Sequence, residues 1–337
     1  MEDKNKQYQT SNFNPVFIVG PQRAGTTMLA AMLDRHSRIS IPPETLFFHS
    51  FIIYYEDNKS TDSREEMVRL ALAYRRIADL QLREDEVLEH FSQYEKNLKN
   101  LFRSILETYT KKQGKIRAGE KTPAHLLYVP QLLKLYPEAK VVCIIRDGRD
   151  AVRSLLRTHW AQPNNPRRFG LLCCQWNDWV QLALNYSKKF SSQQYILVKY
   201  EDIVRDPENQ LRQICDFVDE NFEPMQLNPS LKSATIPERE TEWKGKANAG
   251  IDRSRLQAWR REAPQQQLWE MNCRMKKALK NAGYNDIELK GCPLQQKILL
   301  HIKKVPYYKW VRPISILCLR LLRFFLLQKT TRVQNKN

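Results

Sequence analysis

The feature that most restricts the fold is a strand–turn–helix near the start of the chain. Residues 14–20 read NPVFIVG, an apolar run with the look of a buried strand. From residue 25 to residue 35 the apolar positions Met28, Leu29, Met32 and Leu33 recur at helical spacing. Between them lies Gly20-Pro21-Gln22-Arg23-Ala24-Gly25-Thr26-Thr27. A strand that turns at once into a helix aims the helix's free N–H groups, and its dipole, at whatever occupies the turn, which favours an anion. Thr26 and Thr27 add hydroxyl donors.

The rest of the chain continues the alternation of strand and helix. A short extended piece at 38–41 ends at Pro42–Pro43. Residues 62–112 read as charge-rich helices, part of a helical insertion placed at about 46–112. Residues 115–120 read as a short strand, 123–135 as a helix, 140–145 (KVVCII) as an apolar strand and 147–157 as a helix. A long helix over 169–190, a strand at 195–198, and helices over 207–218 and 264–281 follow. The expected fold class is α/β: a P-loop-NTPase-like parallel sheet flanked by helices, with a helical insertion, in one domain over residues 14–285. With 337 residues, 42% of them apolar, the chain can fill such a core.

An ATPase P-loop reads GxxxxGK[ST]. Here Gly20 and Gly25 keep the spacing, but Thr26 stands where the lysine would be and the cation is Arg23 inside the loop. With no evident aspartate to hold Mg²⁺, a P-loop kinase is the weaker enzymatic alternative. The second candidate anion site follows the KVVCII strand: Arg146 at the strand's end, where open α/β sheets bind ligands, and Ser154 about two helical turns on. Arg149 and Arg153 have the spacing of a solvated helix face. Seven scattered cysteines include no CxxC pair and no Cys/His cluster, so reduced thiols and no metal are expected.

The two motifs together resemble the sulfotransferase superfamily that uses PAPS, 3′-phosphoadenosine 5′-phosphosulfate, as donor. PQRAGTT resembles its 5′-phosphosulfate loop and CIIRDGRDAVRS its 3′-phosphate strand and helix. Trp243-Lys244-Gly245-Lys246, with 248–259, resembles the late basic loop over the 3′-phosphate. Gly119-Glu120-Lys121-Thr122-Pro123 resembles a motif of the carbohydrate and tyrosylprotein branch. The resemblance implies that Arg23 stabilises charge on the leaving phosphate, and that Gly25, Thr26 and Thr27 cradle the 5′-phosphosulfate. It also implies that Arg146 and Ser154, with Lys244 and Gly245, bind the 3′-phosphate. The family usually has serine where this chain has Ala24, which leaves the backbone N–H there to serve. It implies PAPS as donor, a hydroxyl-bearing acceptor (carbohydrate, tyrosyl or small alcohol), and no metal.

The acceptor hydroxyl needs a base. Glu44, in Ile41-Pro42-Pro43-Glu44-Thr45, is the family's position for a catalytic carboxylate, and His125, read as a helix-surface histidine, competes with it. Lys121 either touches the transferring sulfuryl oxygens or is a surface lysine. His36 reads as a helix-terminal cation, and Trp176, Trp179, Trp259 and Trp269 as core.

Of the net charge of +18, residues 290–337 hold eleven Lys/Arg and no Asp or Glu. This basic tail carries ISILCLRLLRFFLL at 314–327, fourteen residues, too few to span a bilayer but suited to an amphipathic helix on an anionic membrane or on the domain. A basic membrane- or polyanion-binding protein without catalysis is therefore the non-enzymatic alternative, with no specific nucleic acid implied. Residues 1–14 are polar and lack an apolar signal core, which leads to the expectation of a cytoplasmic protein.

Overall fold

The computed structural model describes residues 13–56, 63–158, 166–231, 233, 235–241 and 250–285. The NPVFIVG run forms the central strand β1 (Val16–Val19), with every residue fully buried. It pairs in parallel with β3 (Arg117–Lys121) on one side and β4 (Lys140–Ile145) on the other. β2 (Ile39–Ser40) pairs with β3 and β5 (Tyr195–Lys199) with β4, so the parallel sheet runs β2-β3-β1-β4-β5.

Alternation along β1 splits the core into two layers. Phe17 and Val19 join the cluster that holds Phe102, Leu126, Tyr136 and Trp176. Val16 and Ile18 join the one that holds Leu29, Leu33, Ile203 and Ile214. α1 (Thr26–Asp34), α10 (Tyr200–Arg205) and α11 (Pro207–Phe217) cover this second face. The first is covered by α6 (Leu98–Lys112), α7 (Val129–Leu135), α8 (Gly148–Leu156) and α9 (Pro166–Lys189). The loop after β1 thus leads to one face and the loop after β4 to the other. That divergence opens a crevice at the C-terminal ends of the strands.

Between β2 and β3 the described chain adds α2 (Phe47–Glu56), α3 (Arg64–Ala73), α4 (Arg75–Ala78) and α5 (Glu84–Ser92) before α6. The helix expected over 123–135 is divided. Pro123–Tyr128 is a 3₁₀ turn, and α7 begins afresh with Pro130 in its first turn, where the missing N–H does no harm. α12 (Ala258–Glu262) and α13 (Gln265–Asn281) close the described fold against α8 and α9. Trp176, Trp179 and Trp259 are buried in the core, as expected, whereas Trp269, also expected there, is only half-buried on its helix.

Lys244, Gly245 and the tail at 290–337, with its expected amphipathic helix, lie outside the described residues. Among the described residues no helix is long and apolar enough to cross a membrane.

Candidate functional site

The loop after β1 owes its path to Gly25. Its φ of 103° lies in the left-handed region, and a Cβ there would stand 2.5 Å from the Tyr200 ring. α1 then starts with no side-chain cap hydrogen bond among the described residues, so its first N–H groups face the crevice. Arg23, also left-handed at φ 64°, sends Nε to Ser154 Oγ at 3.0 Å. One hydrogen bond therefore joins the two sequence motifs across 131 residues.

Arg146 leaves the end of β4 with its guanidinium 4.3 Å over the Tyr200 ring and Nη2 donating to the Arg255 carbonyl at 2.8 Å. Asp150 stands 3.7 Å away, and Arg146 Nε is buried with no hydrogen-bond partner among the described residues. Burial is the largest influence pulling the Arg23 guanidinium below its ordinary pKa. The nearby charges of Arg146 and Arg255 add to it, and Glu44 opposes. The charges of Arg146 and Arg255 thus bear on Arg23, with the Arg255 guanidinium itself paired to Asp252 at 2.9 Å, and this concentration of cations suits an anion.

α8 departs from the expected solvated face. Arg149 is 1% exposed, holds Asp147 through Nε (2.9 Å) and Nη2 (2.7 Å), and lies 3.8 Å over the Trp259 ring. Asp150 Oδ1 accepts the Trp259 N–H at 2.9 Å. Arg153, mostly buried, reaches Glu262 at 3.2 Å. These groups pin α12 and the preceding 3₁₀ turn (Arg253–Arg255) to the second motif, with the Arg255 carbonyl on Arg146. Sequence reasoning missed Arg255 as an individual, although it lies in the basic 248–259 stretch.

On the other side of β1, Lys121 ends β3 fully buried, which rules out a surface lysine. Its Nζ lies 2.6 Å from Glu44 Oε1 and 3.4 Å from Thr27 Oγ1, so Glu44 and the donor-type loop meet through one cation. His125 is not a helix-surface residue either. It is fully buried, with Nδ1 2.8 Å from Glu120 Oε2 and Nε2 accepting the Phe48 N–H at 3.3 Å. Both ring nitrogens are thus occupied within the core. His36 is likewise buried, with Nδ1 accepting the Arg38 N–H (3.0 Å) and Nε2 2.8 Å from the Asn221 carbonyl. It ties two segments together where a helix-end cation was expected. Among the described residues no His/Cys/Asp/Glu group could hold a metal ion.

Both motifs and the carboxylate between them fall within residues 15–224, the part of the chain matched by the model of the sulfotransferase family. Protein-tyrosine sulfotransferase 2 of Gallus gallus is 27% identical over 226 residues, covering 65% of this chain and 55% of that one. Protein-tyrosine sulfotransferase A of Caenorhabditis elegans is 25% identical over 213 residues, 63% of this chain and 50% of its own. Across the first four curated relatives the chain spans between 40% and 70% of their length. In fold it is similar to the sulfotransferase domain of the curacin biosynthetic pathway, with TM-score 0.56 and 18% identity over 80% of this chain and 98% of that one. It is also similar to the sulfotransferase domain of the Synechococcus PCC 7002 olefin synthase, with TM-score 0.54 and 21% identity over 82% and 98%. These two likenesses concern the fold, while the family match covers more than half of the sequence: the chain belongs to the sulfotransferase family.

Proposed function

We propose that the chain transfers a sulfuryl group from PAPS to the hydroxyl of an acceptor, in line and with no metal. The meeting of Arg23 with Ser154 beside the uncapped start of α1, within the influence of the charges of Arg146 and Arg255, carries the reading. Like charges brought together in a partly dry crevice raise the free energy of the empty site, and an anion with two separated phosphate groups offsets that at both ends. The buried, unpartnered Nε of Arg146 fits the same ligand, since one hydrogen-bond position is left for it to fill.

When bound, PAPS supplies an activated sulfuryl group and leaves as PAP. The N–H groups of Gly25, Thr26 and Thr27, with the two threonine hydroxyls, hold the 5′-phosphosulfate; the Ala24 N–H, expected to serve as well, is taken by the Pro21 carbonyl at 3.1 Å. Arg23 faces the phosphate oxygens on which charge grows as the sulfuryl group departs, the place where a fixed cation accelerates transfer most. Arg146, Ser154 and Arg255 hold the 3′-phosphate, with Lys244 and Gly245 assigned to the same task. Glu44 takes the acceptor's proton as the O–S bond forms. Lys121 bonds Glu44 and spans from it to Thr27, between base and donor loop. The kinase alternative lacks a lysine at position 26.

Carbohydrate, tyrosyl and small-alcohol hydroxyls are all admitted, and the names of the relatives put a tyrosyl peptide first in a screen. Two measurements test the reading: label transfer from radiolabelled PAPS to such a panel, and calorimetry of PAP against 5′-AMP. We expect transfer to at least one acceptor and a clear preference for PAP. Equal affinity for the two nucleotides together with no transfer would sink it.

A further inference from the structure

The fold buries a carboxylate and an imidazole that this chemistry does not use. Glu120 and His125 are both fully buried, beside Thr45 and Thr122, also fully buried. What they hold is the segment that follows Glu44. Four consecutive backbone N–H groups there end on side chains. Thr45 N donates to Glu120 Oε1 (3.4 Å), and Leu46 N to Thr122 Oγ1 (3.2 Å). Phe47 N donates to Thr45 Oγ1 (3.3 Å), and Phe48 N to His125 Nε2 (3.3 Å). The acceptors converge in turn on Glu120: Thr45 Oγ1 at 2.9 Å, Thr122 Oγ1 at 2.5 Å and His125 Nδ1 at 2.8 Å. Leu46 is at φ 50°, a conformation a leucine keeps only where its surroundings over-determine it.

We infer that Glu120 is a positioning residue for Glu44, fixing the backbone from which the base is presented. Successive residues of a strand point to opposite sides, and β3 uses both. Glu120 grips the backbone after Glu44, and Lys121, its neighbour, grips the Glu44 carboxylate at 2.6 Å. Burying a carboxylate is costly unless every acceptor position is satisfied. Burial pushes Glu120 up, but the His125 imidazole and the Thr122 and Thr45 hydroxyls outweigh it and hold the group below the usual carboxylate range. Because Phe48 N–H occupies His125 Nε2, the ring proton faces Glu120 from Nδ1. An amide NH₂ in place of Glu120 Oε2 meets that proton head-on.

The inference rests on Glu44 as base, so the test carries Glu44→Gln alongside. Turnover of radiolabelled PAPS is measured with p-nitrophenol and with water as acceptors, and PAP affinity by calorimetry. Glu120→Gln should leave PAP affinity within about twofold and lower kcat about 10- to 100-fold, the scale of a base displaced by about an ångström. Added to Glu44→Gln, it should cost less than about a further twofold, because it acts through the group already lost. Thr122→Val should lower kcat, and Thr122→Ser should restore it. An equal cost of Glu120→Gln in both backgrounds overturns the inference, since the residue then serves the fold at large. Should Glu120→Gln not fold, full turnover in Thr122→Val overturns it. Normal turnover in Glu44→Gln instead overturns the base, and this inference with it.

Discussion

The two halves of the crevice are built on opposite plans. Over β1 and β4 cations predominate and one position is open: the charges of Arg146 and Arg255 bear on Arg23, and Arg146 Nε has no hydrogen-bond partner among the described residues, although Asp150 and Asp252 stand beside Arg146 and Arg255. Over β3 they are saturated, with Glu120 accepting three side-chain donors and a backbone N–H. The contrast separates two tasks. A site that takes its ligand from solution keeps hydrogen-bonding capacity in reserve. A site that must present its own side chain at one angle fills that capacity in advance.

The largest effect that can break this division is on turnover. Glu44→Gln keeps the shape and removes the proposed base, so it should cut turnover about 10²- to 10⁴-fold while leaving PAP affinity nearly unchanged. A loss of PAP affinity comparable to the loss of turnover would mean that the two halves are not separate.

The next effect is on the donor. Arg146→Ala removes the proposed charge-assisted contact to the 3′-phosphate, worth about 1.5–3 kcal/mol, so calorimetry should show PAP binding weakened about 10- to 100-fold. The preference for PAP over 5′-AMP should shrink by the same factor, and stabilisation by excess PAP should shrink with it. Unchanged PAP affinity in this variant would remove Arg146 from the donor half.

The same division governs what could be read without coordinates. The donor half is local: Gly25 closes a turn between an apolar strand and a largely buried helix, and Arg146 sits at the end of an apolar run. Both follow from a few adjacent residues. The saturated half is not local. Thr45 meets Glu120 across 75 residues and Phe48 meets His125 across 77, so neither the start of α2 nor the burial of His125 leaves a pattern in its own neighbourhood. Arg149 misled for the same reason. Its spacing on α8 is that of a solvated face, but Trp259, 110 residues later, covers it. Interleaved acids and arginines in RDGRD were the available sign that the charges pair inward. Arg23–Ser154 was accessible only as two separate motifs, and their meeting is a property of the sheet order.

The smallest effect concerns stability against pH, and it sharpens the comparison through two buried carboxylates shifted in opposite directions. Asp150, in the donor half, is pushed up from 3.8 to about 6, chiefly by burial, with Arg146 only partly opposing. A raised pKa means that its contribution is fully present below about pH 3.8 and lost as pH rises through about 6. Asp150→Asn, which can still accept the Trp259 N–H, should therefore gain on the parent as pH rises from 4 to 7. The gain is on the order of 2 kcal/mol, a few degrees in Tm. Glu120, in the saturated half, is held below its ordinary 4.5, so its contribution is present above that value and lost as pH falls through the lowered pKa. Glu120→Gln should show its full deficit near neutrality and a shrinking one in acid. Melting temperatures of parent and both variants between pH 3.5 and 7 give two difference curves, which must slope in opposite directions. Parallel curves would mean that the carboxylates share one environment, and that the reserve of the donor half and the saturation of the base half are not distinct.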